Sequence, residues 1–440
     1  MSLPAKALET LKQLPGAVIG DFPARVRDLP APSASDDAPE LAVDQADSTK
    51  TEDELPSNES PRGELPMHYG DLLGEQERLA HGQAVTVLPM GAIRLTGSER
   101  LTWLNNLVSQ EMLDLHHQPK YWRETLWLDA NGHITWQGFV ADNGEETLIL
   151  AEDAPALAEF LNRMRFRSDV QVTDLSETHL VLGDMIEREL ESELTDISGV
   201  PGIVLGARDP WPDELPGGTT YTGALPHAAH PGERQKRRLT LVRTEDALGW
   251  LGQLGTGFTG SVQAGTAPAE GCRWQYLAGY LAWEAQRIAA WRPTTSDFDG
   301  KALPHEFDLL RSAVHLHKGC YCGQETVARI VNVGRPPRRL AAVDLDGSEH
   351  ELPERGATIK AGEKEDGTLL ARAVHYEQGP IGLALLRRSL DARAVLQVGE
   401  VAAASTTIVA IDGKAEASPS DRPGKELRGQ NLRGNRPRLN

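Results

Sequence analysis

A short run near residue 320 concentrates the side chains of this sequence that could do covalent or binding chemistry. The run His317-Lys318-Gly319-Cys320-Tyr321-Cys322-Gly323-Gln324-Glu325 holds two thiols, an amine, a phenol, an amide and a carboxyl group. On an extended segment Lys318 would share a side with Cys320 and favour its thiolate, which is the reactive form of cysteine. The glycines allow a tight turn or the close approach of a ligand to the backbone. The residues predict a reactive-thiol or ligand-binding loop and name no reaction.

The two thiols of the run do not by themselves make a metal site. Cys320 and Cys322 would face one side of an extended chain, but two ligands are at best half of a site for a soft metal. Cys272, His315 and His317 could complete it only if the fold brought them there. We therefore predict no bound metal. Three cysteines in 440 residues do not indicate a disulfide framework and favour a reducing cytosol.

Further binding groups lie on either side of this run. Arg329 follows Glu325 by four residues, so the two would pair on a helix, whereas on a loop either could bind a ligand. Trp274, Trp283 and Trp291 cluster in one region. They could form an aromatic wall for a flat ring, or they could simply fill the core.

Composition limits the classes of partner. A net charge of −19 argues against broad attraction to nucleic acid or to anionic membranes. No apolar run reaches the length of a signal peptide core or of a membrane span. The sequence predicts a cytoplasmic protein that binds neither DNA nor a membrane.

Residue patterns divide the chain into four parts. Residues 1–66 are expected to form a disordered acidic arm, since the stretch from 35 to 66 is rich in Asp, Glu, Ser and Pro. Residues 67–335 form the predicted core, with a loop or insertion at 207–234. Residues 336–411 show short strands between turn signals and predict a β barrel or sandwich, and residues 412–440 are expected to be a flexible tail.

Periodicity predicts an α+β fold for the core. Strands are expected at 84–88 and 92–95, and a hairpin is expected at 125–140 with its turn at Asn131-Gly132. Helices are expected from Pro155 and over 274–290. This order favours helices packed on one face of an antiparallel sheet.

The run from Lys318 to Glu325 resembles the signature of the YgfZ family, which are folate-binding relatives of the glycine-cleavage T protein. Its flanks are also similar: Val327-Ala328-Arg329-Ile330 follows it, and Pro304-His305-Glu306 and Glu284-Ala285-Gln286-Arg287 precede it. The likeness is strongest from 284 to 340 and thin elsewhere between 67 and 411.

This resemblance implies mixed α/β domains around a central channel for a tetrahydrofolate, with a C-terminal β barrel. It also implies a role in assembling or repairing iron–sulfur clusters in client enzymes, by a protein that binds and repairs more than it turns over substrate. A monomer is expected. The implied catalytic residues are Cys320 and Lys318. The implied folate-binding residues are Tyr321, Gly323, Gln324, Glu325, Arg329, Arg287 and Trp291.

Two departures from the family pattern bear on the activity. Ala289 stands where relatives commonly end an Arg-x-Glu stretch, so one folate contact is missing. Trp136 and Gln137 stand where the T protein has an Asp pair that serves its aminomethyl chemistry. A folate-dependent aminomethyl or methyl transferase therefore ranks second. A thiol redox protein that uses Cys320 and Cys322 ranks third, because thiols so close in sequence would form a strained bridge.

Overall fold

The computed structural model describes residues 3–22, 63–115, 121–187, 197, 199–258, 264–348 and 352–419. The helices are α1 (Ala5–Lys12), α2 (Leu72–Ala80), α3 (Arg100–Asn105), α4 (Ala154–Met164), α5 (Thr244–Leu251), α6 (Tyr280–Ala289) and α7 (Gln324–Asn332). The strands are β1 (Val18–Asp21), β2 (Glu64–His68), β3 (Ala84–Leu88), β4 (Gly91–Thr96), β5 (Arg123–Leu128), β6 (Ile134–Asp142), β7 (Thr147–Ala151), β8 (Gln171–Asp174), β9 (His179–Glu187), β10 (Ile203–Arg208), β11 (Gln235–Arg243), β12 (Tyr276–Ala278), β13 (Arg338–Leu345), β14 (Thr358–Ala361), β15 (Lys364–His375), β16 (Gly379–Arg387), β17 (Leu396–Val398) and β18 (Val401–Thr407).

Two five-stranded sheets and a barrel organise these strands. One sheet has the order β10-β11-β9-β3-β12 and the other has the order β5-β6-β7-β4-β8. The second sheet is antiparallel throughout, while β12 joins the first sheet parallel to β3. Strands β13 to β18 close into a barrel, and β1 pairs with β2. The α+β prediction and the C-terminal barrel are confirmed.

Apolar patterning explains where the helices pack. Helix α4 buries Leu157, Ala158 and Leu161 beside strands of the second sheet. These positions recur at helical spacing, so a single stripe faces the sheet. The hairpin of β5 and β6 turns at Asn131-Gly132 as predicted, and Gly132 has a φ of 83°, which a side chain would disfavour.

Three expectations about the segments are wrong in part. The predicted disordered arm includes α1 and β1, because Ala7 and Leu11 of α1 are fully buried and β1 pairs with β2. Residues 23–62 of that arm lie outside the described residues. The predicted helix over 274–290 begins only at Tyr280, because residues 276–278 extend along β3 as β12.

The predicted flexible tail is packed over its first residues. Ala415 is buried, and the backbone N–H of Glu416 donates to the carbonyl of Thr220 at 3.0 Å. Residues 420–440 lie outside the described part of the chain. Within the described residues, no helix is both long and apolar enough to cross a membrane.

Candidate functional site

The Lys318 side chain anchors the loop of the motif to the turn after α3. Only 9% of Lys318 is exposed. Its ammonium donates to the carbonyl oxygens of Asn105 at 2.7 Å, Val108 at 2.8 Å and Gln110 at 2.6 Å, and to the side-chain oxygen of Asn105 at 3.0 Å. It also lies 5.6 Å from the centre of the Tyr321 ring. Burial lowers the pKa of Lys318 to about 8, against the opposing effect of Glu111.

This geometry corrects the role that the sequence suggested for Lys318. We expected its charge to face the Cys320 thiol, but the hydrogen bonds of its buried ammonium run to residues 105–110. Lys318 therefore holds the loop in place, and the exposed thiol of Cys320 projects from an anchored base.

The two thiols of the loop differ in their surroundings. Both Cys320 and Cys322 are exposed, while Tyr321 between them is buried. Partial burial, and next the nearby Asp129 carboxylate, raise the pKa of the Cys322 thiol. Cys272 is buried, as the sequence predicted, with 6% of its surface exposed.

Gly323 lets the loop turn into α7 against the tip of the β5–β6 hairpin. Its φ is 81°, and a Cβ there would lie 2.7 Å from the carbonyl oxygen of Asp129. Gln324, Glu325 and Arg329 follow on α7. Glu325 and Arg329 are exposed, and Gln324 is half-buried, with its amide 3.5 Å from the carbonyl oxygen of Lys318.

A separate cavity lies where the two five-stranded sheets meet α6. Apolar surface comes from Leu88, Phe139, Leu239 and Trp283, among others. The Trp283 ring packs so closely on β9 that a Cβ at Gly183 would lie 2.7 Å from it. A cavity with apolar walls and a few buried polar groups is the usual form of a small-molecule site.

Two buried arginines in the cavity wall are fully occupied by carboxylates. Arg287 donates to Glu284 at 2.8 Å and to Asp297 at 2.7 Å. Arg292 donates to Glu124 at 2.8 Å and to Asp209 at 3.0 Å. Buried ion pairs of this kind compensate the cost of desolvation only when the hydrogen bonds are complete, as they are here.

A third arginine, Arg237 of β11, also lines the cavity and is only 2% exposed. Its Nε lies 3.5 Å from the carboxylate of Asp209. Among the described residues, none accepts a hydrogen bond from Nε or Nη1. Burial lowers the pKa of Arg237 to about 10, so the side chain remains charged at neutral pH.

A chain of hydrogen bonds connects the cavity to the motif loop. Glu124 accepts from Arg292 and from the hydroxyl of Ser312. The amide of Gln110 donates to the carbonyl of Ser312 at 2.9 Å, and the carbonyl of Gln110 accepts from Lys318. The thiol loop and the cavity are thus two places in one connected polar network.

The structure distributes the sequence-predicted site residues over both places. Arg287 lines the cavity, whereas Tyr321, Gly323, Gln324, Glu325 and Arg329 lie on or after the thiol loop. Trp291 packs its ring against His230 with centres 5.2 Å apart, outside the cavity wall.

The aromatic wall expected from three tryptophans is reduced to Trp283. Trp274 is 1% exposed and stacks on Trp250 in the core, so it fills space and does not line the cavity.

Comparisons with known proteins agree with this architecture. Residues 338–411 match the family model described as the CAF17 C-terminal β-barrel domain. The glycine-cleavage aminomethyltransferase T of Bartonella henselae superposes with a TM-score of 0.56 over 80% of this chain and 92% of that protein, at 14% identity. A chloroplastic protein of Arabidopsis thaliana, named as a candidate transferase, is 35% identical over 108 residues.

The C-terminal barrel is similar to that of CAF17, and the fold is similar to that of the glycine-cleavage aminomethyltransferase T. The match to the Arabidopsis protein covers 24% of this chain and about a fifth (22%) of that relative's length. The likeness to the Bartonella protein, at low identity, concerns the fold alone.

The sequence alone did not indicate most of the cavity. It did not single out Arg237, Arg292, Asp209 or Glu124. One signal was present, because the basic run at 236–238 leads directly into the apolar residues Leu239, Leu241 and Val242. A charged residue in a buried strand needs either a partner or a ligand.

One group of side chains has the spacing of a cation site. Oxygen or nitrogen atoms of Asp213, His227 and Glu233 lie within 4.8 Å of one another. The ammonium of Lys236 lies 3.2 Å from Asp213 and 3.0 Å from Glu233. Lys236 therefore already supplies the positive charge that these carboxylates need.

Proposed function

We propose that this chain is a tetrahydrofolate-binding accessory protein that supports the assembly or repair of iron–sulfur clusters in client enzymes through the thiol of Cys320. The observation that carries the proposal is the exposed Cys320 on a loop that the buried Lys318 anchors. A thiol that must reach a partner protein needs exposure, and a defined position needs a rigid base.

The cavity fits a reduced folate by its chemistry. Phe139 and Trp283 offer apolar faces to a flat ring, and Arg237 offers buried donors. Tetrahydrofolate would supply a carrier for one-carbon groups at this place. The hydrogen-bonded route through Glu124 and Gln110 gives the cavity a physical connection to the loop.

The decisive experiment is rescue of a deletion strain. We expect several iron–sulfur enzymes to lose activity, and we expect the wild-type gene but not Cys320→Ser to restore it. Cys322→Ser is the matched control on the same loop and should restore activity. Full rescue by Cys320→Ser would overturn the role of this thiol. Failure of both variants would favour a dithiol redox protein.

Folate binding is tested separately with the purified protein. Calorimetry with tetrahydrofolate should give a binding isotherm, and the fluorescence of the cavity-lining Trp283 should change on binding. Neither heat nor a fluorescence change at millimolar ligand would reject the folate part of the proposal.

A folate-dependent transferase is the second candidate. The T-protein-like fold and the candidate transferase from Arabidopsis favour it. Gln137, in place of a T-protein carboxylate, lines the cavity and donates to Glu124, which leaves no carboxylate at that position. Glu152 and Asp209 nevertheless bring carboxylates to the wall. Release of ammonia from aminomethylated carrier protein with tetrahydrofolate would establish the transferase.

The cellular setting is part of the proposal. We infer a cytoplasmic monomer that meets its client enzymes transiently. Since the Arabidopsis relative is named as chloroplastic, cell fractionation is the test of location, and light scattering of the purified chain is the test of oligomeric state.

A further inference from the structure

Arg237 is as deeply buried as a core residue, but its guanidinium group is poorly hydrogen-bonded. Both its Nε and its Nη1 are shielded from solvent and lack an acceptor among the described residues. A buried donor that makes no hydrogen bond destabilises the fold, and more so when the group is charged. Such a cost in a cavity wall indicates an acceptor that arrives with a ligand.

The neighbouring arginines show that the shortage is local to Arg237. Arg287 and Arg292 each bind two carboxylates in the same wall. Asp209 is shared, because Arg292 takes both of its oxygens while Arg237 lies 3.5 Å from one of them. Among the described residues, the fold therefore supplies carboxylates for two arginines and leaves Nε and Nη1 of the third without an acceptor.

Strand geometry directs Arg237 to the cavity. Side chains alternate along β11, so Arg237 and Leu239 share one face and both line the cavity. Arg238 points to the other face, where it pairs with Asp184 and lies over the Trp274 ring. The contrast between adjacent arginines shows that the core can fully pair such a side chain where no ligand is needed.

We propose that Arg237 is the residue that orients the ligand in the cavity, by donating hydrogen bonds from Nε and Nη1 to acceptor oxygens of the bound molecule. The inference rests on the proposed folate function and deepens it. A folate offers such oxygens at two places, the carbonyl of the pteridine ring and the carboxylates of the glutamate tail. Either source meets the need of the guanidinium, and the experiment separates them.

The proposal predicts an uncommon pairing of effects. Removing a poorly paired buried charge is often neutral or stabilising for the fold. Arg237→Met should thus melt no lower than the wild type yet bind tetrahydrofolate roughly 10- to 100-fold more weakly. Arg292→Met serves as the structural comparison, because it leaves Glu124 buried without its cation and Asp209 with only the more distant Arg237, and it should lower the melting temperature.

The experiment uses the purified full-length chain, with calorimetry for binding and thermal melts for stability. The variants are Arg237→Met, Arg237→Lys and the control Arg234→Met, which changes an exposed arginine three residues earlier. The probes are tetrahydrofolate, 6-methyltetrahydropterin, p-aminobenzoylglutamate and sodium formate. Arg237→Lys should bind with intermediate affinity, since it keeps the charge but not the planar donors.

Each outcome decides. If binding of 6-methyltetrahydropterin depends on Arg237, the ring carbonyl is the acceptor of its hydrogen bonds. If binding of p-aminobenzoylglutamate depends on Arg237, the acceptor is the tail carboxylate. Arg237→Met binding tetrahydrofolate within twofold of the wild type overturns the proposal, as does a loss of stability as large as that of Arg292→Met. If Arg237→Met does not fold, Arg237→Lys is judged by the same binding criterion.

The experiment also separates a wrong folate function from a wrong role for Arg237. If the wild type binds no folate, the proposed function is wrong. In that case, Arg237 remains an oxyanion site if formate raises the melting temperature of the wild type but not that of Arg237→Met. Equal stabilisation of both proteins, or of neither, rejects the site as well.

Discussion

The ammonium of Lys318 lies 2.6 Å from the carbonyl oxygen of Gln110, more than two hundred residues away in the chain. This contact joins the thiol loop to the turn after α3. The side chain of Gln110 continues the connection to the carbonyl of Ser312. The amine of Lys318 thus holds the motif loop in place, and the Cys320 thiol is exposed.

Lys318→Met should destabilise the protein by roughly 3 kcal/mol, because it leaves buried oxygens without their charged donor. Urea denaturation measures the change in the free energy of unfolding. Lys301→Met, which removes an exposed lysine, is the control and should change it by less than about 0.5 kcal/mol. Equal stabilities of the two variants would show that the hydrogen bonds of Lys318 make no net contribution to the free energy of unfolding.

Gly323→Ala should lower stability by roughly 2 kcal/mol or more. The residue has a φ of 81°, and the new Cβ would lie 2.7 Å from the carbonyl oxygen of Asp129. Gly319→Ala is a control within the same motif, since a Cβ at Gly319 meets no atom within 4 Å. Thermal melts of both variants make the comparison, and a larger loss for Gly319→Ala would contradict it.

Limiting iodoacetamide at neutral pH should label Cys320 first, Cys322 more slowly and Cys272 last. Both loop thiols are exposed, but partial burial and Asp129 raise the pKa of Cys322, so less of it is thiolate. Peptide mass spectrometry gives the order. Asp129→Asn should speed the labelling of Cys322 and leave Cys320 unchanged, and an unchanged Cys322 rate would refute the contribution of Asp129.

Acid should destabilise the fold in part through His305. Burial lowers its pKa to about 4, against the ordinary value of 6.5. The folded state binds a proton at His305 more weakly than the unfolded state does. The free energy of unfolding is therefore unaffected by His305 above pH 6.5 and falls as the pH drops towards 4. The loss amounts to about 3 kcal/mol.

His305→Phe should remove that share of the acid sensitivity. Phenylalanine keeps a ring that can meet the Tyr221 ring edge to face, as His305 does at 5.7 Å between centres. Urea midpoints at pH 7.0, 5.5 and 4.5 compare the variant with the wild type. If the urea midpoints of the two proteins fall equally with pH, groups other than His305 cause the loss of stability in acid.

Sequence reasoning was strongest where a pattern is local. The stripe of α4, the hairpin turn at Asn131-Gly132 and the short strands of the barrel follow from periods and turn residues that neighbours in the chain determine. The buried Cys272 and the exposed Cys320 also followed from their immediate context.

Sequence reasoning failed where distant partners decide the structure. The composition of residues 35–66 led us to expect disorder over residues 1–66, yet α1 buries Leu11 in the core and β1 pairs with β2. Residues 276–278 form a strand because β3 offers them a parallel edge. Such contacts lie outside any local window, so tertiary packing overrides local preference.

The sequence by itself predicted a reactive-thiol or ligand-binding loop near residue 320 and short C-terminal strands that form a barrel or a sandwich. Only the tertiary structure decided what those parts do for one another. It directed Lys318 to the carbonyl of Gln110, and it paired Arg287 and Arg292 while leaving two donors of Arg237 without acceptors among the described residues. The reason is physical: the pairing of a buried charge depends on which oxygens the fold brings within about 3 Å, and chain order does not encode that distance.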